Sequence, residues 1–200
     1  MIPVAPQPEP ASFDAKVRKK GHQWLKKHGL PQVGGRPPGG PELEPYWRDC
    51  LDELHEAYGG VCAYVAVYIA PVVGGRSVDH LVPTAQDLAG AYEWGNYRLA
   101  CSHINGCKSD ATDVLDPFDL APGTFELEPI FGTISVSRAL LGPERDLAQL
   151  TIDRLKLNSP DCLLLRAKHY ADYRKHCWPK EYLREMSPFV WYELNRQGLL

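Results

Sequence analysis

The sequence predicts an α+β fold, with strands in the middle of the chain and helices at both ends. β-branched and aromatic residues dominate residues 61–73, and a Gly-Gly pair follows them, which is typical of a strand entering a hairpin turn. Apolar residues recur at helical spacing before this region and again in the last quarter of the chain. Hydrophobic residues make up 44% of the 200 residues and charged residues 24%, a composition that supports a packed core.

The N-terminal part of the chain is predicted to be a basic arm followed by a linker. Residues 1–11 are rich in proline, and residues 13–30 have the pattern of a short helix. Residues 1–30 contain six Lys or Arg against two acids, although the whole chain carries a net charge of −3. Residues 31–45 contain four glycines and several prolines, so no regular element is expected there. We therefore treat residues 1–45 as an N-terminal basic arm and Pro/Gly-rich linker. The basic residues suit phosphate contact or docking on a partner, and a solvated helix face is the alternative interpretation.

The central region, residues 46–140, is predicted to form the core of the protein. Residues 46–58 have helical spacing and end at a Gly-Gly pair. Residues 61–73 and 76–80 are predicted to pair as a hairpin around Gly74 and Gly75. Residues 85–95 are expected to be a loop, and a short helix is expected to begin at Ser102 or His103 and to end at Lys108. The predicted local order is thus strand, strand, loop, helix.

The rest of the chain is predicted to add a second hairpin and a helical extension. Residues 125–128 and 133–136 flank Pro129 and Gly132, which is typical of a hairpin. Helices are expected over residues 147–157, 160–177 and 180–197, the last two separated by Pro179. Residues 141–200 are accordingly predicted to be a C-terminal helical extension packed on the core.

Composition also indicates where in the cell the protein is expected. No apolar stretch approaches the ~18 residues that a membrane helix needs. The first ten residues lack the charged and apolar regions of a signal peptide, so we expect a cytoplasmic protein without membrane contact. Six irregularly spaced cysteines in such a chain do not indicate a disulfide framework.

Five polar side chains within residues 77–110 have the chemistry of a phosphodiester-cutting site. Asp79 and Asn105 offer oxygen ligands of the kind that a hard divalent cation prefers, Mg²⁺ above all and Mn²⁺ as the alternative. His80 has the ordinary pKa range of a general base that activates water. Asn96 lies in the loop that would orient the imidazole. Lys108 follows Asn105 by one helical turn and would meet a phosphate oxygen.

These residues stand in segments that resemble the motif of the HNH nucleases. The segments are residues 78–83 (VDHLVP), 94–99 (WGNYRL) and 105–110 (NGCKSD), and they resemble most the branch whose motif ends in Asn. The resemblance implies a ββα-metal HNH core with additional helices at both ends. It also implies that His80 is the general base, that Asp79 and Asn105 are metal ligands, and that Asn96 is the orienting residue.

A wider resemblance covers most of the chain and implies a biological setting. Residues 8–13 (PEPASF), 131–134 (FGTI) and 152–158 (IDRLKLN), with Arg166, resemble PtuB, the HNH subunit of Septu-type and retron-associated anti-phage systems. The resemblance implies a nuclease effector that works beside an ATPase subunit related to PtuA. We expect it to hydrolyse DNA, with RNA left open as the alternative substrate. Two alternatives stay open: a standalone HNH nuclease of restriction or toxin type, and a catalytically inactive module that binds nucleic acid or a partner.

The resemblance departs from the zinc-bearing HNH proteins and leaves one metal ligand undecided. Cys62 and Cys101 each keep the first cysteine of a CxxC pair, but Val65 and Ile104 occupy the second positions. Two thiolates are too few for a closed tetrahedral site, so no structural zinc is expected. In the Septu-like relatives a histidine falls near His103, which is therefore an alternative to Asn105 as the metal ligand.

Overall fold

A computed structural model describes residues 1–31, 34–37, 39–73 and 75–200. This part of the chain contains seven α-helices and two small two-stranded antiparallel sheets, so the predicted α+β class is confirmed. The chain forms two compact units. The N-terminal unit comprises Pro6–Gly60 and Ala70–Thr112, and the C-terminal unit comprises Met1–Ala5, Val61–Ile69 and Asp113–Leu200. The division into residues 1–45, 46–140 and 141–200 rested on composition and stays a prediction.

The first helix of the N-terminal unit is anchored by its apolar face. A π-helical turn, Asp14–Arg18, runs into α1, Lys19–Lys27, within the helix predicted for residues 13–30. Phe13, Val17 and Leu25 are fully buried along this segment. Gly21 lies against the ring of Tyr92, where a Cβ atom would collide with the ring, so only glycine fits this crossing. The linker residues Gln32, Val33 and Pro38 lie outside the described residues.

A strand pair followed by a helix forms the centre of this unit. Strand β1, Arg76–His80, pairs antiparallel with β2, Tyr97–Cys101, with Asp79 opposite Arg98 and His80 opposite Tyr97. Helix α3, Ser102–Lys108, begins directly after β2, packs against both strands and matches the predicted helix. The observed order is therefore strand, loop, strand, helix.

The hairpin predicted between residues 61–73 and 76–80 was wrong, because β1 has β2 as its partner. Residues 61–73 form a tight loop instead: the amide of Cys62 donates to the carbonyl of Val67, and Ala66 has a positive φ of 49°. Pro71–Val73 then form a 3₁₀ turn. Most of the run up to Ile69 is buried, whereas Val72 and Val73 are exposed, and an apolar run does not by itself distinguish a strand from a buried loop. Gly74 of the predicted turn lies outside the described residues.

A second helical segment covers the start of β1. The helix predicted for residues 46–58 consists of a 3₁₀ turn, Tyr46–Cys50, followed by α2, Leu51–Ala57. Leu54 is fully buried where α2 packs against β1. The loop between β1 and β2, predicted to be irregular over residues 85–95, contains two short 3₁₀ turns, Ala89–Tyr92 and Trp94–Asn96.

The C-terminal unit contains the second hairpin and four helices. Strands β3, Phe125–Glu128, and β4, Thr133–Val136, pair antiparallel as predicted. The helices are α4, Gly142–Arg154; α5, Pro160–Arg174; α6, Lys180–Met186; and α7, Pro188–Arg196. The single helix predicted for residues 180–197 was wrong, because the residue before a proline avoids the helical conformation and Ser187 precedes Pro188.

A buried arginine ties the hairpin of this unit to α5. The Arg166 guanidinium donates to the carbonyl oxygens of Gly132 and Leu157, each at 2.6 Å, and only 2% of the residue is exposed. Burial lowers the pKa of Arg166 to about 10, so the guanidinium remains charged at neutral pH. None of the helices in the described ranges is both long enough and apolar enough to cross a membrane.

Candidate active site

The His80 ring is held at the end of β1 by one hydrogen bond and two aromatic rings. Its Nε2 atom lies 3.0 Å from the carbonyl oxygen of Ala91 in the loop between β1 and β2. A carbonyl oxygen can only accept, so Nε2 carries the proton and Nδ1 keeps a lone pair. Trp47 and Tyr97 meet the ring edge to face, with centroids 4.9 and 5.2 Å away. No described residue bonds Nδ1.

The surroundings of His80 favour its neutral form. Burial lowers the pKa of His80 below its ordinary value, and the Lys108 ammonium acts in the same direction. The bond to Ala91 and the Asp79 carboxylate oppose this shift without reversing it. A neutral imidazole with a free Nδ1 can accept a proton at neutral pH, which is the state that a general base requires.

Asp79 and Lys108 form a buried ion pair beneath this ring. Both residues are almost fully buried, at 2% and 1% exposure. The Lys108 Nζ atom lies 3.1 Å from the Asp79 carboxylate and donates to the carbonyl oxygen of His80 at 2.7 Å. The ammonium group of Lys108 thus contacts β1, where it holds the Asp79 carboxylate in place. Its predicted contact with a phosphate oxygen stays a prediction.

Asn105 reaches from α3 to the middle of β1. Its Nδ2 group donates to the Ser77 hydroxyl and to the Val78 carbonyl oxygen, each at 3.1 Å. Because the carbonyl oxygen of Val78 must receive an N–H, the orientation of the amide is fixed. The Oδ1 atom of Asn105 has no partner among the described residues and remains available as a ligand.

A cavity of about 240 Å³ brings the predicted acid, base and amide together. Asp79, His80 and Asn105 all line it. The complete lining is Trp47, Val78, Asp79, His80, Pro83, Thr84, Asn105, Ser109 and Asp110. His103 does not belong to this lining and is exposed on α3. Asn105, and not His103, therefore shares this cavity with Asp79.

Asn96 organises the loop rather than touching the imidazole. Its Oδ1 accepts from the amide of Val82 at 2.8 Å, and its Nδ2 donates to the carbonyl oxygens of Val82 and Gly90 at 2.9 and 3.0 Å. Gly90 precedes Ala91, whose carbonyl oxygen holds His80. Asn96 therefore fixes the loop segment that carries Ala91, and its predicted role of orienting the imidazole stays a prediction.

The donor set of the cavity suits a hard cation better than a soft one. Within the described residues, no group of three or more His, Cys, Asp or Glu side chains is arranged to hold a metal ion. One carboxylate and one amide oxygen are a sufficient protein contribution for Mg²⁺, which keeps several water ligands. Asp79 and Asn105 fit that requirement.

Sequence reasoning missed the groups that support His80. Ala91 acts through its backbone carbonyl, which every residue possesses, so no residue type could have revealed it. Trp47 is only one apolar position of the helix predicted for residues 46–58, yet it packs on the His80 ring and lines the cavity. Its apolar spacing with Leu51 and Leu54 is equally typical of an ordinary buried helix face, so the signal was ambiguous.

The arrangement can perform acid–base chemistry on a water molecule next to a cation. The free Nδ1 atom of His80 provides the proton acceptor, and the oxygen atoms of Asp79 and Asn105 provide the ligands. The chain matches no protein-family model, and a search of curated proteins finds no match to it.

Proposed function

We propose that the protein is a metal-dependent endonuclease of the HNH type that hydrolyses phosphodiester bonds of DNA. The observation that carries the proposal is the shared cavity: a neutral imidazole with a free Nδ1, a carboxylate and an uncommitted amide oxygen line the same 240 Å³. The succession of β1, β2 and α3, of which β1 and α3 line this cavity, supports the proposal of a ββα-metal core.

In this proposal, His80 removes a proton from the attacking water through Nδ1. Nε2 keeps its own proton, which it donates to the carbonyl oxygen of Ala91, and this hydrogen bond stabilises the imidazolium that forms. The edge-on rings of Trp47 and Tyr97 keep the imidazole from rotating away. General-base assistance of this kind contributes about 10²–10⁴-fold to the rate.

Asp79 and Asn105 would hold the divalent cation, for which we expect Mg²⁺, with Mn²⁺ as a functional substitute. A cation bound there neutralises charge on the scissile phosphate. Lys108 positions the Asp79 carboxylate from below, and Asn96 positions the loop that carries Ala91. Each polar residue predicted from the motif, apart from His103, thus has a place in the mechanism.

The biological setting proposed is a nuclease effector that works beside an ATPase subunit in anti-phage defence. The resemblance to PtuB supports this setting. The small net charge of −3 is compatible with a partner that supplies part of the DNA-binding surface. Copurification from the native host tests it directly. Cleavage by the purified chain alone would instead support a standalone nuclease.

The decisive experiment measures cleavage of plasmid DNA with Mg²⁺ or Mn²⁺, by the chain alone and with any copurifying partner. We expect His80→Ala to reduce the rate by about 10²–10⁴-fold. Asn105→Ala and Asp79→Asn should weaken metal binding measured by calorimetry, whereas His103→Ala should leave it unchanged, because His103 lies outside the cavity.

Two results would contradict the proposal. Wild-type activity in the His80→Ala variant would remove His80 as the base. DNA binding without cleavage, in the presence of either metal and the partner, would leave the inactive binding module as the remaining interpretation. Thermal unfolding of each variant provides the control for folding.

A further inference from the structure

A second and larger cavity of the N-terminal unit adjoins the proposed catalytic cavity. It has a volume of about 520 Å³ and shares Trp47, His80 and Thr84 with the smaller one. The two spaces share these three residues: one is also lined by Asp79 and Asn105, and the other by Arg36 and Arg48. A volume of this size lies within the range of pockets that bind small organic molecules.

The two arginines of the larger cavity differ in what they already bind. The Arg36 guanidinium donates through two nitrogens to the carbonyl oxygen of Gly40. Arg48, on the 3₁₀ turn that precedes α2, is exposed, and its guanidinium has neither a hydrogen bond nor an ion pair among the described residues. An unpaired guanidinium on a cavity wall offers a planar set of donors that matches the oxygens of a phosphate.

The carboxylates of the same cavity limit what can enter it. Glu42 and Glu44 also line the cavity, so its wall carries two negative and two positive side chains. A run of several phosphates would meet these carboxylates at close range and be repelled. A single phosphate placed at Arg48 would not need to approach both of them. The charge pattern thus favours one nucleotide over a continuous stretch of backbone.

We propose that the larger cavity is a subsite for the nucleotide that flanks the scissile phosphate, and that Arg48 binds the phosphate of this nucleotide. The proposal rests on the proposed nuclease function. It gives DNA a defined path: the scissile phosphate lies at His80 beside Asp79, and the neighbouring phosphate lies on the other side of the imidazole at Arg48. Arg48 is then a substrate-positioning residue outside the HNH-like motif.

The test compares equilibrium binding with cleavage in the same set of variants. Binding of a fluorescein-labelled DNA duplex is measured by anisotropy in Mg²⁺, with His80→Ala as the background so that the probe stays intact. Arg48→Ala should raise Kd by about tenfold and reduce the slope of log K against log salt by about 0.9, the value for one lost phosphate contact. Arg48→Lys should restore most of the slope, because it keeps the charge.

Lys180→Ala is the matched control. It removes the same unit of charge from an exposed position of the C-terminal unit that lines neither cavity and lies outside the basic arm, so its Kd should stay within about twofold of the background. Equal effects of Arg48→Ala and Lys180→Ala, or no DNA binding at all, would overturn the subsite. In the cleaving protein, Arg48→Ala should raise KM more than it lowers kcat.

The outcomes separate this inference from the proposed function. Arg48-dependent binding by a chain that does not cleave DNA would support the subsite and contradict the nuclease. Cleavage with normal metal dependence and unchanged DNA affinity in Arg48→Ala would support the nuclease and contradict the subsite.

Discussion

Lys108→Met is the substitution that tests most directly how the site is held together. It keeps the length of the side chain and removes the ammonium that lies 3.1 Å from the Asp79 carboxylate. The lysine side chain is 0% exposed and the aspartate side chain 2%, so the pair is largely shielded from bulk water although the aspartate lines the cavity. Removing one partner of a buried ion pair costs about 3–5 kcal/mol, because the remaining charge loses its opposite charge while it stays buried.

The assay is urea unfolding in the absence of divalent metal, monitored by fluorescence and by circular dichroism. Coincident unfolding transitions from the two probes justify a two-state treatment. We expect Lys108→Met to lower the free energy of unfolding by about 4 kcal/mol. Lys168→Met is the control, because Lys168 pairs with Asp172 while its side chain is 65% exposed. Such surface pairs contribute about 0–1 kcal/mol.

The same variant also reports on the metal. If Asp79 is a ligand, a cation at the carboxylate replaces the charge that Lys108 supplied. Mg²⁺ at about a hundred times its Kd should then restore about 2.7 kcal/mol to Lys108→Met. The same addition should have no such effect on the double variant Asp79→Asn/Lys108→Met. A loss below about 1 kcal/mol in the single variant would refute the reasoning about the buried pair.

Three further predictions concern other parts of the chain. Asn96→Ala should cost about 2 kcal/mol in urea unfolding, because three hydrogen bonds to the loop are lost, and it should slow cleavage more than tenfold if the loop positions the base. Burial lowers the pKa of His169 to about 4, so the unfolded chain takes up a proton below pH 6.5 that the folded chain does not. The free energy of unfolding should therefore fall by about 2 kcal/mol between pH 7 and pH 5. The variant His169→Gln should show a smaller fall over the same pH range. Gly132→Ala should lower the free energy of unfolding by more than about 3 kcal/mol, because φ is 73° and the new Cβ would collide with the carbonyl oxygen of Leu163. Gly123→Ala is the control: φ is 77° but the space around it is open, so the loss should be about 1–2 kcal/mol. Equal losses in the two variants would contradict the collision.

The candidate site could be predicted from sequence to the extent that it depends on side-chain type and short spacing. The Asp-His pair, the helix ending at Lys108 and the position of Asn105 on it are local features, and the structure brings Asp79, His80 and Asn105 to one cavity. Which of Asn105 and His103 lines the cavity is not a local feature. It depends on which face of α3 lies against β1, and only the hydrogen bonds from Asn105 to Ser77 and Val78 reveal that face.

The strand pairing could not be predicted, because the strongest local signal pointed to the wrong partner. A Gly-Gly pair next to an apolar run is a hairpin signal, yet β1 pairs with β2 across the loop that contains Asn96. The cost of closing a loop grows slowly with its length, so a longer loop is acceptable when it gains contacts of its own. Asn96 provides such contacts by joining Val82 to Gly90. Asn96 therefore stabilises the loop that joins β1 to its partner.

Backbone carbonyl groups hold most of the polar side chains of this site. Asn105 donates to the carbonyl of Val78, Lys108 to that of His80, and Asn96 to that of Gly90. Each of these three residues therefore stabilises the unit in addition to any part in the chemistry. A loss of cleavage in their variants is evidence about the reaction only after the free energy of unfolding has been measured. Arg48 makes no such contact, so a changed Kd in its variants reports on DNA directly.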